Sequence, residues 1–322
     1  MAGRQVFFNT DARGIVLFSV ALHSLLKHNR PDRALRVFVA HDASFGAAGG
    51  RERTEAIARE FPFATLCFLD CTETLRRHGE RFQSMLWAFP LCDEILPSDV
   101  GGKIVYLDID MQVRCDLGEL FDLDLRGAGM WAAAVNESRR EHRRYLVEAG
   151  WPEAAGYSFN NATTVLDLDA FRRERLSGRM VAWYEEHWRE AVNLDQDAQN
   201  VVYGAKTLRL PPKWNYTDGW LERLLKLNPF AAEWRVFPPR QVLEAILSPC
   251  IVHFIGRKKP TRWTHRPERR AYRREMEEMG LLDHGVLPGE NVGMRVLGSL
   301  FDGWHGLLKV YARLLLACRK YV

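Results

Sequence analysis

Short runs rich in Val, Ile and Phe alternate with longer stretches of helical periodicity through the first 256 residues. That alternation predicts a mainly parallel sheet covered by helices. Strands are expected at Gln5–Phe8, Leu35–Ala40, Ala64–Leu69, Lys103–Leu107, Trp131–Val135, Thr163–Leu168 and Cys250–Phe254. Helices are expected over Ile15–Lys27, where Val16, Val20, Leu22, Leu25 and Leu26 recur at helical spacing, over 51–60, over Phe82–Leu91 with a stop near Pro97, and from near Asp169. Beyond Pro260 the strand-like runs cease and Arg, Glu and Tyr take over. A soft boundary there separates a domain at 1–260 from a helical, basic extension at 261–322.

With 47% hydrophobic residues the chain is too apolar to be disordered and is long enough to bury a large core. Its six cysteines are scattered, without the paired CxxC spacing of a structural zinc site, and read as reduced core residues. The start, MAGRQVFFNTD, lacks a long apolar run, so no secretory signal is expected, and no stretch reaches the length of a membrane span. A cytoplasmic location is the expectation. The net charge of +4 conceals an asymmetry, because the last 66 residues carry 14 Lys and Arg against 7 Asp and Glu. The rest of the chain is therefore slightly acidic, and the basic tail points to an anionic surface.

In YLDIDMQVRCDL, a buried strand ends on Asp108, with Asp110 two residues on. Ligands in open α/β sheets gather outside the carboxyl ends of strands. In extended backbone both carboxylates project to one side and Ile109 to the other. Such a pair repels itself unless a cation intervenes, and a divalent ion that also binds diphosphate oxygens would supply the charge. Alone, a DxD is weak and equally describes a solvated strand end. A second element adds weight: Cys250–Phe254 reads as a buried strand carrying His253, followed by Gly256, Arg257, Lys258, Lys259 and Pro260. Imidazole suits manganese better than magnesium, glycine lets backbone approach a phosphate, and lysine offers it a compact charge.

Two further segments, SFNNATTVLDLDAFR (Ser158 to Arg172) and NLDQDAQNVVYG (Asn193 to Gly204), lie between the DxD and HFIGRKKP. In this order and spacing the four motifs resemble glycosyltransferase family 8, which includes glycogenins and bacterial lipopolysaccharide galactosyl- and glucosyltransferases. The likeness runs from about Val6 to about Pro260. It implies a Rossmann-like nucleotide-diphospho-sugar fold of GT-A type and a retaining hexose transfer from a nucleotide-diphospho-sugar. UDP-glucose or UDP-galactose is the expected donor, and a lipopolysaccharide or capsule precursor the expected glycan acceptor. Carried over motif by motif, it places Mn2+ or another divalent cation on Asp108, Asp110 and His253. Lys259, with Gly256, would meet the donor phosphates, and Asn160, Asp195 and Gln196 the donor sugar. Asn9, Thr10 and Asp11 would touch the nucleoside. Asp195 and Gln196 are the candidate catalytic residues, although an amide is a poor nucleophile. The acids of Asp195-Gln196-Asp197 also suit a helix amino terminus on dipole grounds. A non-catalytic nucleotide-sugar-binding member and a metal-dependent nucleotide-sugar hydrolase are the alternatives.

The sequence departs from the family pattern on the donor side. After the FN motif, where a small residue is usual, it reads Asn161-Ala162-Thr163. The turn after Asp11 continues Ala12-Arg13-Gly14 with no aromatic, Arg81 lies just outside the predicted helix before the DxD, and the usual KPW is opened to Lys259-Pro260-Thr261-Arg262-Trp263.

In the tail, Leu297, Leu300, Phe301, Trp304, Leu307, Leu308, Tyr311, Leu314 and Leu315 repeat at helical spacing, with Arg295, His305, Lys309, Arg313 and Lys320 on the other face. A basic amphipathic helix of this kind can lie on anionic lipid, which would place the chain on the inner face of the cytoplasmic membrane, near a lipid-linked acceptor, or it can dock on the protein's own core. Nine Arg or Lys residues between Arg257 and Arg274 come with no nucleic-acid recognition motif, so nucleic acid is not an expected partner.

Overall fold

Strand β1 (Arg4–Thr10) buries Val6, Phe7 and Phe8 completely, although successive side chains point to opposite faces. Only a strand covered on both sides can do this, which is the condition of an inner strand of a parallel sheet. In the computed structural model, which describes residues 3–125, 131–136, 146–148, 151, 157–217, 236–256, 259–262, 267–281 and 292–317, that expectation is met. Helix α1 (Ile15–His28) leads to β2 (Leu35–His41), and helix α2 (Gly50–Ala58) to β3 (Ala64–Asp70). Then come β4 (Lys103–Leu107), β5 (Met111–Val113), β6 (Trp131–Asn136) and β7 (Ser158–Asp167). They are followed by α3 (Leu176–His187), α4 (Asp195–Tyr203), β8 (Thr207–Arg209), β9 (Tyr216–Thr217), α5 (Pro239–Leu247) and β10 (Ile251–His253). Helices α6 (Pro267–Glu278) and α7 (Val292–Ala317) close the chain.

The described chain divides into two units. The first holds residues 1–15, 29–109 and 116–210, and its seven-stranded sheet has the order β3-β2-β1-β4-β7-β6-β8. Strands β1 to β4 run parallel, β7 runs antiparallel to both β4 and β6, and β8 is parallel to β6. Chain order reverses at β1, with β2 on one side and β4 on the other, and at this switch point a doubly wound sheet offers its ligand crevice. A mixed α/β sheet of this kind is the fold class expected from the patterning.

The second unit holds residues 16–28, 110–115 and 211–322, with a three-stranded sheet of order β5-β10-β9. Its helix α6 is fastened to α1 by an ion pair between His23 Nδ1 and Glu275 Oε1. Glu275 Oε2 accepts from Gln112 Nε2 at 3.4 Å, and Lys27 bonds Glu278.

Two local expectations are corrected. Residues 82–91 form no single helix: 3-10 turns at Glu80–Phe82 and Met85–Ala88 precede a four-residue helix at Cys92–Ile95. Phe82, Trp87, Ala88, Phe89 and Leu91 are buried while Gln83, Ser84 and Leu86 are exposed, so burial follows no single helical face, and Pro90, near the end of the segment, lacks a backbone donor. Strand β7 starts at Ser158 rather than Thr163, which places the FN motif inside the sheet. Arg257, Lys258, Trp263, His265 and most of the loop after Asn136 lie outside the described residues.

Burial opposes ionisation of Glu275, but its bond to His23 and the charges of His23 and Lys27 hold the carboxyl below its usual range. A group whose folded pKa is depressed contributes stability above the unfolded value, about 4.3 for Glu, and loses that contribution as pH falls through the folded one. Glu275→Gln should therefore destabilise the protein by about 2 kcal/mol at pH 7. In urea unfolding followed across pH, the deficit should shrink below about pH 4; a deficit independent of pH would refute the charge argument.

Candidate active site

In the first unit, the carboxyl ends of β1 and β4 bring Asn9 and Asp108 to a single phenol. Tyr106 Oη lies 2.6 Å from Asn9 Oδ1 and 2.6 Å from Asp108 Oδ1. The Asn9 amide donates to the Met85 carbonyl at 2.6 Å, which keeps its oxygen toward the phenol. Phe89 stacks on the Tyr106 ring at 3.9 Å between centroids, so the hydroxyl is held by packing as well as by its bonds. Tyr106 is a site residue that the motifs did not flag. Its position at i−2 from Asp108 on one strand, hence on the same face, was the available signal.

Strand β4 ends at Leu107, and Asp108, Ile109 and Asp110 lie between strands, not in extended register as the sequence suggested. Ile109 is half-buried against Gly14, where a Cβ would lie 2.5 Å from its Cδ1; the missing side chain makes room for it. The Asp108 amide donates to the Ala162 carbonyl of β7 at 2.9 Å. Asp11 caps the turn at Ala12–Gly14 and pairs with Arg13, and Thr10 is buried.

Strand β7 and the start of α4 carry the second cluster of the same unit. Asn160 Nδ2 donates to Gln196 Oε1 at 2.9 Å, and Asn161 Nδ2 to Asp195 Oδ2 at 2.7 Å. Gln199 Nε2 reaches the same Asp195 oxygen at 3.3 Å. Burial, and after it the charge of Asp108, pushes the Asp195 carboxyl well above its ordinary range. Asp197 accepts the backbone N–H groups of Val192 and Asn193 at 2.7 and 3.0 Å, so it anchors the loop before the helix, and both acids lie in the first turn as the dipole favours. Asn200 bonds both the N–H and the C=O of Phe159 and so ties α4 to the FN strand.

The loop enters α4 through Leu194, at φ 47° and ψ −113°, in a turn closed by Gln196 N–H on the Asn193 carbonyl at 3.0 Å. This is the first central position of a type II′ turn, a conformation that favours glycine, and here a leucine holds it directly before Asp195.

In the second unit, β10 lies between β5 and β9, and the Phe254 amide donates to the Asp110 carbonyl at 2.9 Å. That pairing places His253 beside Asp110, with Nε2 3.3 Å from Oδ1, both side chains buried. His253 Nδ1 lies 2.8 Å from Asn215 Oδ1. An amide oxygen only accepts, so Nδ1 carries the proton and Nε2 turns its lone pair toward the carboxylate, unless it too is protonated. Two lone pairs at this distance require a cation or a proton between them, so the donor set fits a divalent ion. Asp108, two residues back along the chain, is the third group of that ligand type. Asn215, which no motif marked, sits next to β9 and reaches His253 only through strand pairing.

Lys259 bonds the other Asp110 oxygen. Burial opposes ionisation of Asp110, but His253 and Lys259 overcome it and hold the carboxyl well below its usual range. Buried Arg269 of α6 donates to the Lys259 carbonyl at 3.3 Å. Gly256, at φ 93°, occupies the left-handed region that glycine supplies.

Residues 94–265, just over half of the chain, match the sequence model of Glycosyl transferase family 8. The chain belongs to that family. It is similar to a probable UDP-glucose:glycoprotein glucosyltransferase A of Dictyostelium discoideum, 31% identical over 46% of this chain and 9% of that protein. It is also similar to general stress protein A of Bacillus subtilis, 29% identical over 49% of this chain and 52% of that one. The chain thus spans from about a tenth to about half the length of these relatives. A lipopolysaccharide 1,2-glucosyltransferase of Escherichia coli is 24% identical over 79% of this chain and 70% of that one. Among solved structures, the galactosyltransferase LgtC with donor and acceptor sugar analogs superposes with TM-score 0.63 at 20% identity, over 91% of this chain and 99% of that one. The bifunctional glycosyltransferase WbbM gives TM-score 0.67 at 17% identity, over 88% and 51%. These likenesses establish a GT-A glycosyltransferase fold.

Relief of the turn strain is measurable. Leu194→Gly should raise unfolding stability by about 1 kcal/mol in urea melts; a loss of stability would show that the conformation carries no strain.

Proposed function

We propose that this family 8 chain is a retaining hexosyltransferase that moves a hexose from a UDP-hexose, glucose or galactose, to a glycan acceptor such as a lipopolysaccharide or capsule precursor. The observation that carries the reading is the buried His253–Asp110 pair, whose imidazole is set by Asn215 to face a carboxylate. Asp110, His253 and Asp108 would hold a divalent ion, Mn2+ by the preference of imidazole, and that ion would supply charge to the departing diphosphate. Lys259, now on Asp110, carries the positive charge that a donor phosphate would compete for. Gly256 lets the backbone before it turn close to such a phosphate.

Positive charge develops on the anomeric carbon as the diphosphate leaves, and the dipoles of Asn160 and Gln196 and the carboxylate of Asp195 are the groups assigned to meet it. In a retaining transfer the hydroxyl arrives on the face that the diphosphate leaves, and the leaving oxygen takes its proton. No protein base is then required, in keeping with Gln196, an amide, beside Asn160. Asn9, Thr10 and Asp11 are assigned to the nucleoside end at the β1 switch point.

No helix among the described residues is long and apolar enough to cross a membrane. Helix α7 nevertheless exposes Leu300, Trp304, Leu307, Tyr311 and Leu314, spaced four and three residues apart, while His305 and Ala312 are buried. His305 lies 3.9 Å from Glu268 inside the second unit and is buried, so it is not part of the exposed basic face expected from helical spacing. Arg313 remains exposed. We assign the apolar stripe to an anionic membrane surface on the cytoplasmic side, where a lipid-linked acceptor would be met.

With Mn2+ present, UDP-glucose or UDP-galactose should raise the melting temperature, and Asp110→Ala should abolish the metal-dependent part of the rise. An unchanged shift in the variant would remove Asp110 from the metal site. Added acceptor glycan should speed UDP release; release indifferent to acceptor would favour a hydrolase. Trp304→Glu with Leu307→Glu should abolish co-flotation with anionic vesicles, and undiminished flotation would end the membrane assignment.

A further inference from the structure

Consecutive residues of a strand point to opposite faces, yet Asn160 and Asn161 both bond residues at the start of α4. A bulge explains this. Along β6, Ala133 pairs with Thr164 and the next residue, Ala134, with Asn160, so residues 161–163 are extra on that side of β7. On the other side β4 stays in register through Leu107 and Thr163, and the Asp108 amide continues onto Ala162. Bulges beside active sites commonly re-aim a side chain, and this one turns Asn161 onto Asp195. The bulge is itself braced, since Thr164 Oγ1 donates to the Asn161 carbonyl at 3.0 Å and the Ala162 amide to Asn160 Oδ1 at 3.3 Å.

Asn161 and Gln199 both donate to Asp195 Oδ2. Gln199 is in turn held by the Tyr203 hydroxyl, which donates to its Oε1 at 3.0 Å. Two donors on one oxygen fix the plane of a carboxylate that would otherwise turn about its last bond. The other oxygen, Oδ1, is the one these amides leave to a ligand. A sugar hydroxyl donates well only within about 2.5–3.0 Å and near the lone-pair direction, so a fixed oxygen accepts one configuration at a ring carbon and misses its epimer. A carboxylate free to turn would follow either.

We propose that Asn161 is a specificity-determining residue for the donor hexose, acting by locking the Asp195 carboxylate so that a single oxygen in a single orientation meets the sugar. The proposal rests on the UDP-hexose reading above. It gives a role to the residue at which this chain departs from the small residue usual after the FN motif. With alanine there, Asp195 keeps only the longer bond from Gln199 and regains rotation.

Equilibrium binding separates the possibilities without an acceptor. Dissociation constants of UDP, UDP-glucose and UDP-galactose would be measured by calorimetry with Mn2+ for the wild type, Asn161→Ala and Asn161→Asp. The wild type should separate the two epimers by about tenfold. Asn161→Ala should bring them within about twofold while leaving UDP itself unchanged, since UDP lacks the sugar. Asn161→Asp, which sets a carboxylate against Asp195, should weaken both UDP-sugars more than UDP. A wild-type ratio near one, or a ratio that Asn161→Ala leaves intact, overturns the role of Asn161. If neither UDP nor either UDP-hexose binds the wild type, the donor reading itself falls.

Discussion

Negative charge held out of water is the constraint that shapes the candidate residues of each unit. A buried carboxylate is costly unless it is paired or hydrogen-bonded, and Asp110 and Asp195 are both buried. The two acids are compensated in different ways. Around Asp110 the compensation is ionic, from His253 and Lys259, and the carboxyl stays ionised. Around Asp195 it is only dipolar, from Asn161, Gln199 and the first turn of α4, with Asp108 adding repulsion. One acid is thus suited to a cation, and the other to a neutral or incipiently positive ligand.

The compensation explains why so much of the surrounding fold is fixed. His253 can serve Asp110 because β10 pairs with β5 in one register, and Asn215 can set the imidazole because β9 pairs with β10. A shift of one residue in the first pairing would turn the imidazole to the opposite face, and one in the second would take Asn215 away from it. Helix α6 adds support from outside the strands, through Arg269 on the Lys259 carbonyl. The extension that composition marked only as basic therefore contributes at least one buried residue to the loop that carries Lys259.

Most of the sheet was legible because β1, β2 and β4 are short runs rich in Val, Ile, Phe and Leu and largely buried on both faces, while the edge strand β3, only partly buried, is still mainly apolar. The segment at 82–91 was illegible because its apolar residues keep to no one face, a pattern that does not distinguish a helix from a packed series of turns, and Pro90 does not suit a continuous helix through it. The candidate residues in motifs were singled out by their types and spacing. Tyr106, Asn215 and the bond from Asn161 to Asp195 were not, because their partners come from strand pairing and from a bulge that no local pattern announces. His305 was misassigned because helical spacing alone gives two faces and does not say which is covered; its neighbour Glu268 decides that.

Carboxamides do most of the positioning in both units: Asn9, Asn160, Asn161, Gln196, Gln199 and Asn200 in the first, and Asn215 in the second. An amide both donates and accepts, so it can orient an acid on one side and a phenol or an imidazole on the other without adding net charge. That neutrality would matter beside the diphosphate of the proposed donor. Further acids would repel it, and further cations would bind substrate and product alike without favouring the transition state. Fixed neutral dipoles instead stabilise charge as it develops and need no reorganisation when it does. The strained entry at Leu194 and the bulge at 161–163 fit this logic, because dipoles act at full strength only when the backbone holds them in place.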